Sequence, residues 1–364
     1  MRSTPGVLLA IAALVTACAP IRTEPAPARP DPLLDYVDQA VSTERFRGAV
    51  EVRDGTKVLL RRGFGLADPV NEVRNGPNTR FRIASVSKQF TALAVLRLRE
   101  QGRLNVVDGV CSYLSNCPPA WAPITIDQLL THTSGLHDFA DETAGIDQFY
   151  ATIGTRQPTP EQLLGHIATL PTDFAPGTRW AYSNSGYVLL GALVERVSGM
   201  SYGQFLHDEV LDPLGLSDTG YQPGLPPGED YAVGYTDWTT PAQVLDDSVF
   251  YAAGGMYSTV TDLGRWQRFL LTGDPPVVRR ETLAELLRPR VQANSTTWYG
   301  YGIQFRGAST ATVDAYSHAG GLPGFTSYVE AHPSSGVTVT VLANIELDVE
   351  DFGRTLAGLA LGQR

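Results

Sequence analysis

Strand-forming segments occur near the two ends of this 364-residue chain and almost nowhere between them. Near the start, Gly48-Ala49-Val50-Glu51-Val52 and Val58-Leu59-Leu60 flank an Asp54-Gly55 pair, a hairpin signal. β-Branched and aromatic residues return in force only at 301–305, 311–316, 325–331 and 337–342. A lone hairpin is marginally stable at best in water. The early strands therefore need the late ones, which predicts a single antiparallel sheet drawn from both ends. From about Leu104 to Leu287 the chain reads as helices cut by Pro and Gly. Segments 33–41 and 352–361 read as outer helices. The expected class is α+β: a sheet flanked by helices, with an inserted helical subdomain at about 104–287.

Within that frame, the stretch from Phe81 to Leu96 reads as a short extended entry followed by a helix. Phe90, Leu93, Ala94 and Leu96 repeat at the spacing of one buried helical face. Ser85 and Lys88 lie three apart, so their side chains share a face at the helix start. A serine hydroxyl needs a base in reach before it can attack a carbonyl. A lysine becomes that base when burial lowers its pKa. Of 28 Lys and Arg residues, only Lys57 and Lys88 are lysines. Arginine cannot give up its proton in a protein, so a base at position 88 has to be the lysine. Alone, S-x-x-K is a common tetrapeptide and requires structural context.

Two further stretches carry polar residues in such a context. In Trp180–Tyr187, Asn184 and Ser185 make a helix start, for which capping is the plain explanation. Tyr182 precedes that helix and can present its hydroxyl to a cleft. Beside a lysinium its pKa is expected to fall, so that it can pass protons. In Tyr316–Phe325, His318 is followed by Gly320 and Gly321, which are expected to let a ligand approach the backbone closely.

Ser85-x-x-Lys88, Tyr182-x-Asn184 and His318-x-Gly320, in that order, resemble the three motifs of the serine β-lactamase and penicillin-binding protein superfamily. The tyrosine of the second motif resembles the class C branch, which includes DD-peptidases, D-aminopeptidases and esterases. Segments 129–136, 182–199 and 253–258 are also similar, and the resemblance runs from about Val37 to the C-terminus. It implies an acyl-enzyme mechanism on amide or ester bonds. Ser85 would be the nucleophile, and Lys88 and Tyr182 would share its proton. Asn184 would bind the substrate carbonyl, and the backbone N–H groups of Ser85 and Gly321 would form the oxyanion hole. His318 replaces the lysine of the β-lactamase pattern. With a reference pKa of ~6.5, it offers a cation to a substrate carboxylate only when protonated. This favours small esters or D-amino-acid amides over β-lactams, with carboxylate binding weakening as pH rises through the His318 pKa. The rival reading is a penicillin-binding or sensor-type protein of the same fold that acylates with little turnover.

The N-terminus reads as a targeting segment. Arg2 precedes an apolar run, Val7 to Val15, too short to span a bilayer. Val15-Thr16-Ala17-Cys18 resembles a bacterial lipobox, with Cys18 lipidated; a plain secretory signal cleaved near Ala17 or Ala19 is the alternative. The expected organisation is a signal peptide over 1–18, a Pro/Ala-rich linker over 19–32 and a hydrolase domain over 33–364. The protein would be exported as a periplasmic-side membrane lipoprotein of a bacterium, whichever membrane holds the lipid. An oxidising compartment would pair Cys111 with Cys117. Their spacing, with no nearby histidine, argues against a metal site, and no cofactor is called for. A net charge of −10 without a basic stripe argues against nucleic acid as a partner, leaving a small-molecule or peptide substrate. Gly63-Phe64-Gly65 lacks the third glycine and the βαβ setting of a dinucleotide loop. The chain holds neither Gly-x-Ser-x-Gly nor His-Glu-x-x-His.

Overall fold

β1 (Gly48–Asp54) and β12 (Val337–Ala343) lie side by side in register, from Gly48 opposite Ala343 to Asp54 opposite Val337. This pairing, in a computed structural model that describes residues 1, 31–141, 146–224, 230–307 and 309–362, fixes the architecture. In chain order, α1 (Pro32–Ser42) leads into β1, β2 (Lys57–Phe64), β3 (Leu66–Asp68), β4 (Val73–Arg74) and β5 (Phe81–Arg82). A 3-10 turn, Ala84–Val86, opens α2 (Ser87–Glu100). The inserted part holds α3 (Ile126–Leu130), α4 (Ile146–Ile153), α5 (Pro160–Ile167), α6 (Asn184–Ser198), α7 (Tyr202–Leu206) and α8 (Tyr251–Gly254). Then come β6 (Tyr257–Ser258), α9 (Val260–Thr272) and α10 (Arg280–Leu286). The C-terminal part supplies β7 (Val291–Gln292), β8 (Thr297–Tyr299), β9 (Gln304–Arg306), β10 (Ala315–Leu322), β11 (Phe325–Ala331), β12 and α11 (Val349–Gly362).

The main sheet runs β2-β1-β12-β11-β10-β9-β8-β7, with antiparallel neighbours throughout. The expected α+β sheet joining both ends of the chain is what forms. β12, Val-Thr-Val-Thr-Val-Leu-Ala, is buried along its whole length. Its period of two explains how. Val337, Val339 and Val341 pack with Leu33, Val37, Phe352 and Leu356 of the outer helices. Leu342 on the other face joins the larger core with Phe90, Leu263 and Trp266.

α2 departs from the one-faced helix the spacing predicts. Residues 87–96 are all buried, because α2 runs through the middle of the larger core. A helix enclosed on all sides carries no amphipathic stripe. Its polar members find internal partners: Trp266 Nε1 donates to Gln89 Oε1 at 2.6 Å, and Thr91 Oγ1 donates to the Ala252 carbonyl at 2.7 Å. Two strand boundaries also differ from the sequence reading. Residues 301–302 form a turn before β9, and β10 continues through His318-Ala319-Gly320-Gly321 to Leu322. Cys111 and Cys117 are joined by a disulfide, with Cα atoms 5.4 Å apart. Arg2, the apolar run and Cys18 lie outside the described residues. No described helix is long and apolar enough to cross a membrane.

Candidate active site

Ser85 is presented by a strained turn. Ala84 sits at φ +46°, a left-handed conformation that costs a non-glycine residue about 1–2 kcal/mol. The strand behind it holds this turn. A Cβ on Gly320 would stand 2.5 Å from the Ile83 carbonyl oxygen and 3.0 Å from the Ala84 Cβ, and Ser327 Oγ donates to that same carbonyl at 2.7 Å. Gly320 is therefore a packing requirement of the Ser85 turn, as well as a residue lining the cleft. Gly321 differs: nothing lies within 4 Å of its missing side chain, and it faces the cleft.

Lys88 lies one turn further on, fully buried. Its Nζ is 3.1 Å from Ser85 Oγ, 2.7 Å from Asn184 Oδ1 and 2.7 Å from the Ala253 carbonyl oxygen. Burial lowers its pKa to about 7, against an opposing pull from Asp138. Asn184 Oδ1 and the Ala253 carbonyl can only accept. A neutral Lys88 gives its two N–H bonds to them, and its lone pair is left for the Ser85 hydroxyl.

Tyr182 reaches Ser85 from the other side, its hydroxyl donating to Oγ at 2.7 Å. Its pKa runs opposite to the sequence expectation. Burial drives the phenol well above its ordinary value, with the Ser85 hydrogen bond opposing, so it stays a donor across the working range. The ring is walled by His132, 4.3 Å away between centroids. His132 Nδ1 accepts from the Ser183 N–H at 3.2 Å, and burial holds the ring neutral.

His318 is also corrected. It is 2% exposed, and burial, with Lys88 nearby, lowers its pKa to about 3. Nδ1 donates to the Ala319 carbonyl at 2.6 Å, so Nε2 accepts from the Tyr299 hydroxyl at 3.1 Å. An imidazole fixed this way supplies no cation near neutral pH, and the expected pH-dependent hold on a carboxylate through His318 falls away.

Asn184 is not a side-chain cap. Its own N–H and Nδ2 both donate to Asp138, at 3.0 Å each, and Ser185 Oγ donates to the His137 carbonyl at 2.6 Å. Ser85, Lys88, Tyr182, Asn184, His318, Gly320 and Gly321 thus converge as the sequence motifs anticipate. Asp138 and His132 are additions. His132 stands in the 129–136 segment already noted for its similarity. Nothing in the residue spacing singles out Asp138.

The cleft is about 750 Å³. Ser85, Tyr182, Gly321 and Thr326 line its floor, and the start of α11 brings Asp348, Glu350, Asp351 and Arg354 to its rim. Glu350 engages Arg354 at 2.8 Å, so three rim carboxylates face one guanidinium that is already paired. A second, more enclosed cavity of about 360 Å³ lies against Arg80, Tyr231, Tyr257 and Phe325 and includes none of the three motifs' polar side chains. Among the described residues no cluster of His, Cys, Asp and Glu could hold a metal ion.

Comparison with known proteins shows the family and the fold. The family described as Beta-lactamase matches residues 33–363. Penicillin-binding protein 4* of Bacillus subtilis (strain 168) is 32% identical over 327 residues, 84% of this chain and 70% of that protein. The crystal structure of a penicillin-binding protein from Bacillus halodurans superposes with a TM-score of 0.77 at 25% identity, covering 90% of this chain and 99% of that one. A D-stereospecific amidohydrolase from Streptomyces sp. gives a TM-score of 0.70 at 27% identity, over 85% and 94% of the two chains.

Proposed function

We propose, from the premise that the chain belongs to the β-lactamase family, that it is a serine hydrolase acting through an acyl-enzyme on neutral or cationic esters and D-amino-acid amides. The observation that carries this is the Ser85 hydroxyl, which accepts from Tyr182 at 2.7 Å and lies 3.1 Å from a fully buried Lys88. Ser85 gives its proton to the Lys88 lone pair as Oγ bonds to the carbonyl carbon. The backbone N–H groups of Ser85 and Gly321 take the developing oxyanion. As the scissile bond breaks, the leaving atom takes a proton from the Tyr182 hydroxyl, which is restored from the Lys88 ammonium. Water then enters, and the same groups run in reverse to free the acid.

The substrate class follows from charge. His318 is neutral, and the rim carries three carboxylates, so among the described residues lining the cleft an anionic substrate meets one guanidinium, Arg354, already paired with Glu350. This disfavours cephalosporins and fits the D-stereospecific amidohydrolase among the similar structures. We further propose export, with lipidation at Cys18; intact-mass analysis of the mature protein reads that directly.

The test is labelling by a fluorophosphonate probe together with steady-state turnover of a short-chain nitrophenyl ester and a D-alanine amide. Ser85→Ala should abolish both labelling and turnover. A burst of one equivalent with no turnover on either substrate overturns the hydrolase reading in favour of a protein that acylates and stops.

A further inference from the structure

An asparagine amide is nearly symmetric in shape, and which end faces Lys88 decides whether the lysine can serve as a base. With Oδ1 toward Nζ, the amide takes an N–H from Lys88 and leaves the lone pair for Ser85. Turned over, Nδ2 would donate into that lone pair and tie up the base. Nothing in Asn184 itself chooses between the two.

We propose that Asp138 is a positioning residue that fixes the Asn184 amide and thereby aims the Lys88 lone pair at Ser85. Asp138 Oδ2 accepts from Asn184 Nδ2 at 3.0 Å. Oδ1 accepts from the backbone N–H groups of Asn184, at 3.0 Å, and Ala140, at 3.1 Å. A carboxylate can only accept, so the turned-over amide would set two oxygens against each other. The residues flanking Asp138 are clamped in turn: Ser185 Oγ donates to the His137 carbonyl at 2.6 Å and accepts from the Phe139 N–H at 2.9 Å, and the Phe139 side chain is fully buried. The line Asp138–Asn184–Lys88–Ser85 thus has one donor and acceptor assignment. This rests on the reading of Lys88 as the base.

The carboxylate also acts at a distance, raising the Lys88 pKa against burial. Lys88 otherwise faces Tyr182 and Tyr187 rings, with His132 and His318 held neutral, while Asp138 faces Lys88 and Asp141. Removing the carboxylate should therefore move the acid limb of the rate profile down, and moving the charge closer to Lys88 should move it up.

The experiment compares wild type, Asp138→Asn and the exchange Asp138→Asn/Asn184→Asp on an activated ester from pH 5 to 9. Thermal melts verify folding. In Asp138→Asn, kcat at the plateau should fall at least ~10-fold with KM little changed, and the acid limb should lie below that of wild type. The exchange restores a donor facing a carboxylate and an acceptor facing Lys88. It should regain much of the plateau kcat, with the limb above wild type. A folded Asp138→Asn with wild-type kcat overturns the proposal. So does a loss of kcat with an unmoved limb and no recovery in the exchange. If wild type itself shows no acid limb, the base reading of Lys88 has failed instead. If Asp138→Asn does not fold, the exchange decides alone through its raised limb.

Discussion

Lys88 should set the pH dependence of turnover. A lysine at its ordinary pKa of about 10.5 is neutral in about 0.03% of molecules at pH 7; at about 7, half of the molecules carry the free amine. Burial thus raises the population of base about 1,500-fold, which corresponds to about 4 kcal/mol. The sign is fixed because the neutral form is the competent one. kcat/KM on an uncharged nitrophenyl ester should rise with pH along a single limb centred near 7, reaching about one-tenth of its plateau at pH 6 and about one-hundredth at pH 5. Tyr182 stays protonated and His318 stays neutral over this range, so neither adds a second limb. Lys88→Arg keeps the charge and removes the base, and should lose at least ~100-fold. The assay is a rate profile from pH 5 to 9 at constant ionic strength, run on wild type, Lys88→Arg and His318→Gln. A flat profile, a limb that survives in Lys88→Arg, or a limb that moves in His318→Gln would each refute the assignment.

Tyr182→Phe should lower kcat at least ~10-fold while unfolding stability stays within roughly 0.5 kcal/mol, since only a hydroxyl is lost from a fixed ring; an unchanged kcat would reduce the residue to a wall. Gly320→Ala should cost about 1–3 kcal/mol and slow labelling of Ser85, because the new methyl meets the Ile83 carbonyl, whereas Gly321→Ala should melt like wild type. Lys88→Met should change the pH dependence of stability. In wild type the unfolded chain holds the Lys88 proton between about pH 7 and 10.5 and the folded chain does not, so stability rises by up to about 1.4 kcal/mol per pH unit. Parallel slopes for the two proteins in urea melts would contradict the burial account. Glu350→Gln with Asp351→Asn should raise hydrolysis of a carboxylate-bearing substrate relative to an uncharged ester by a few-fold at low salt.

The fold was legible where periodicity carried it. Val337-Thr338-Val339-Thr340-Val341 alternates, and Asp54-Gly55 marks the β1–β2 hairpin, so the sheet and its closing strand could be read directly. α2 could not be read as enclosed, since a helix buried on every side has no stripe to reveal which side is inside. The three motifs located the candidate side chains, because serine one helical turn from lysine pairs a nucleophile with an amine. Their proton states could not be read, since the pKa of Lys88, Tyr182 and His318 is set mainly by what surrounds them. For the same reason the packing role of Gly320 could not be read until the turn beneath it was seen. Asp138 escaped notice because its partners come from α2 and α6, distant in sequence.

The pairing of β1 with β12 has a consequence for how the protein is made. Some 280 residues separate Asp54 from Val337. At about 5–20 residues per second, a ribosome needs roughly 15–55 s to deliver the second strand after the first. Until then β1 keeps an open edge able to pair with other chains, and no truncated product can close the sheet. Contacts this distant also slow the folding search. The sheet of the nascent chain therefore stays incomplete until its last strand emerges. A release assay on stalled ribosomes would read this as protease resistance appearing only once residue 343 has cleared the tunnel.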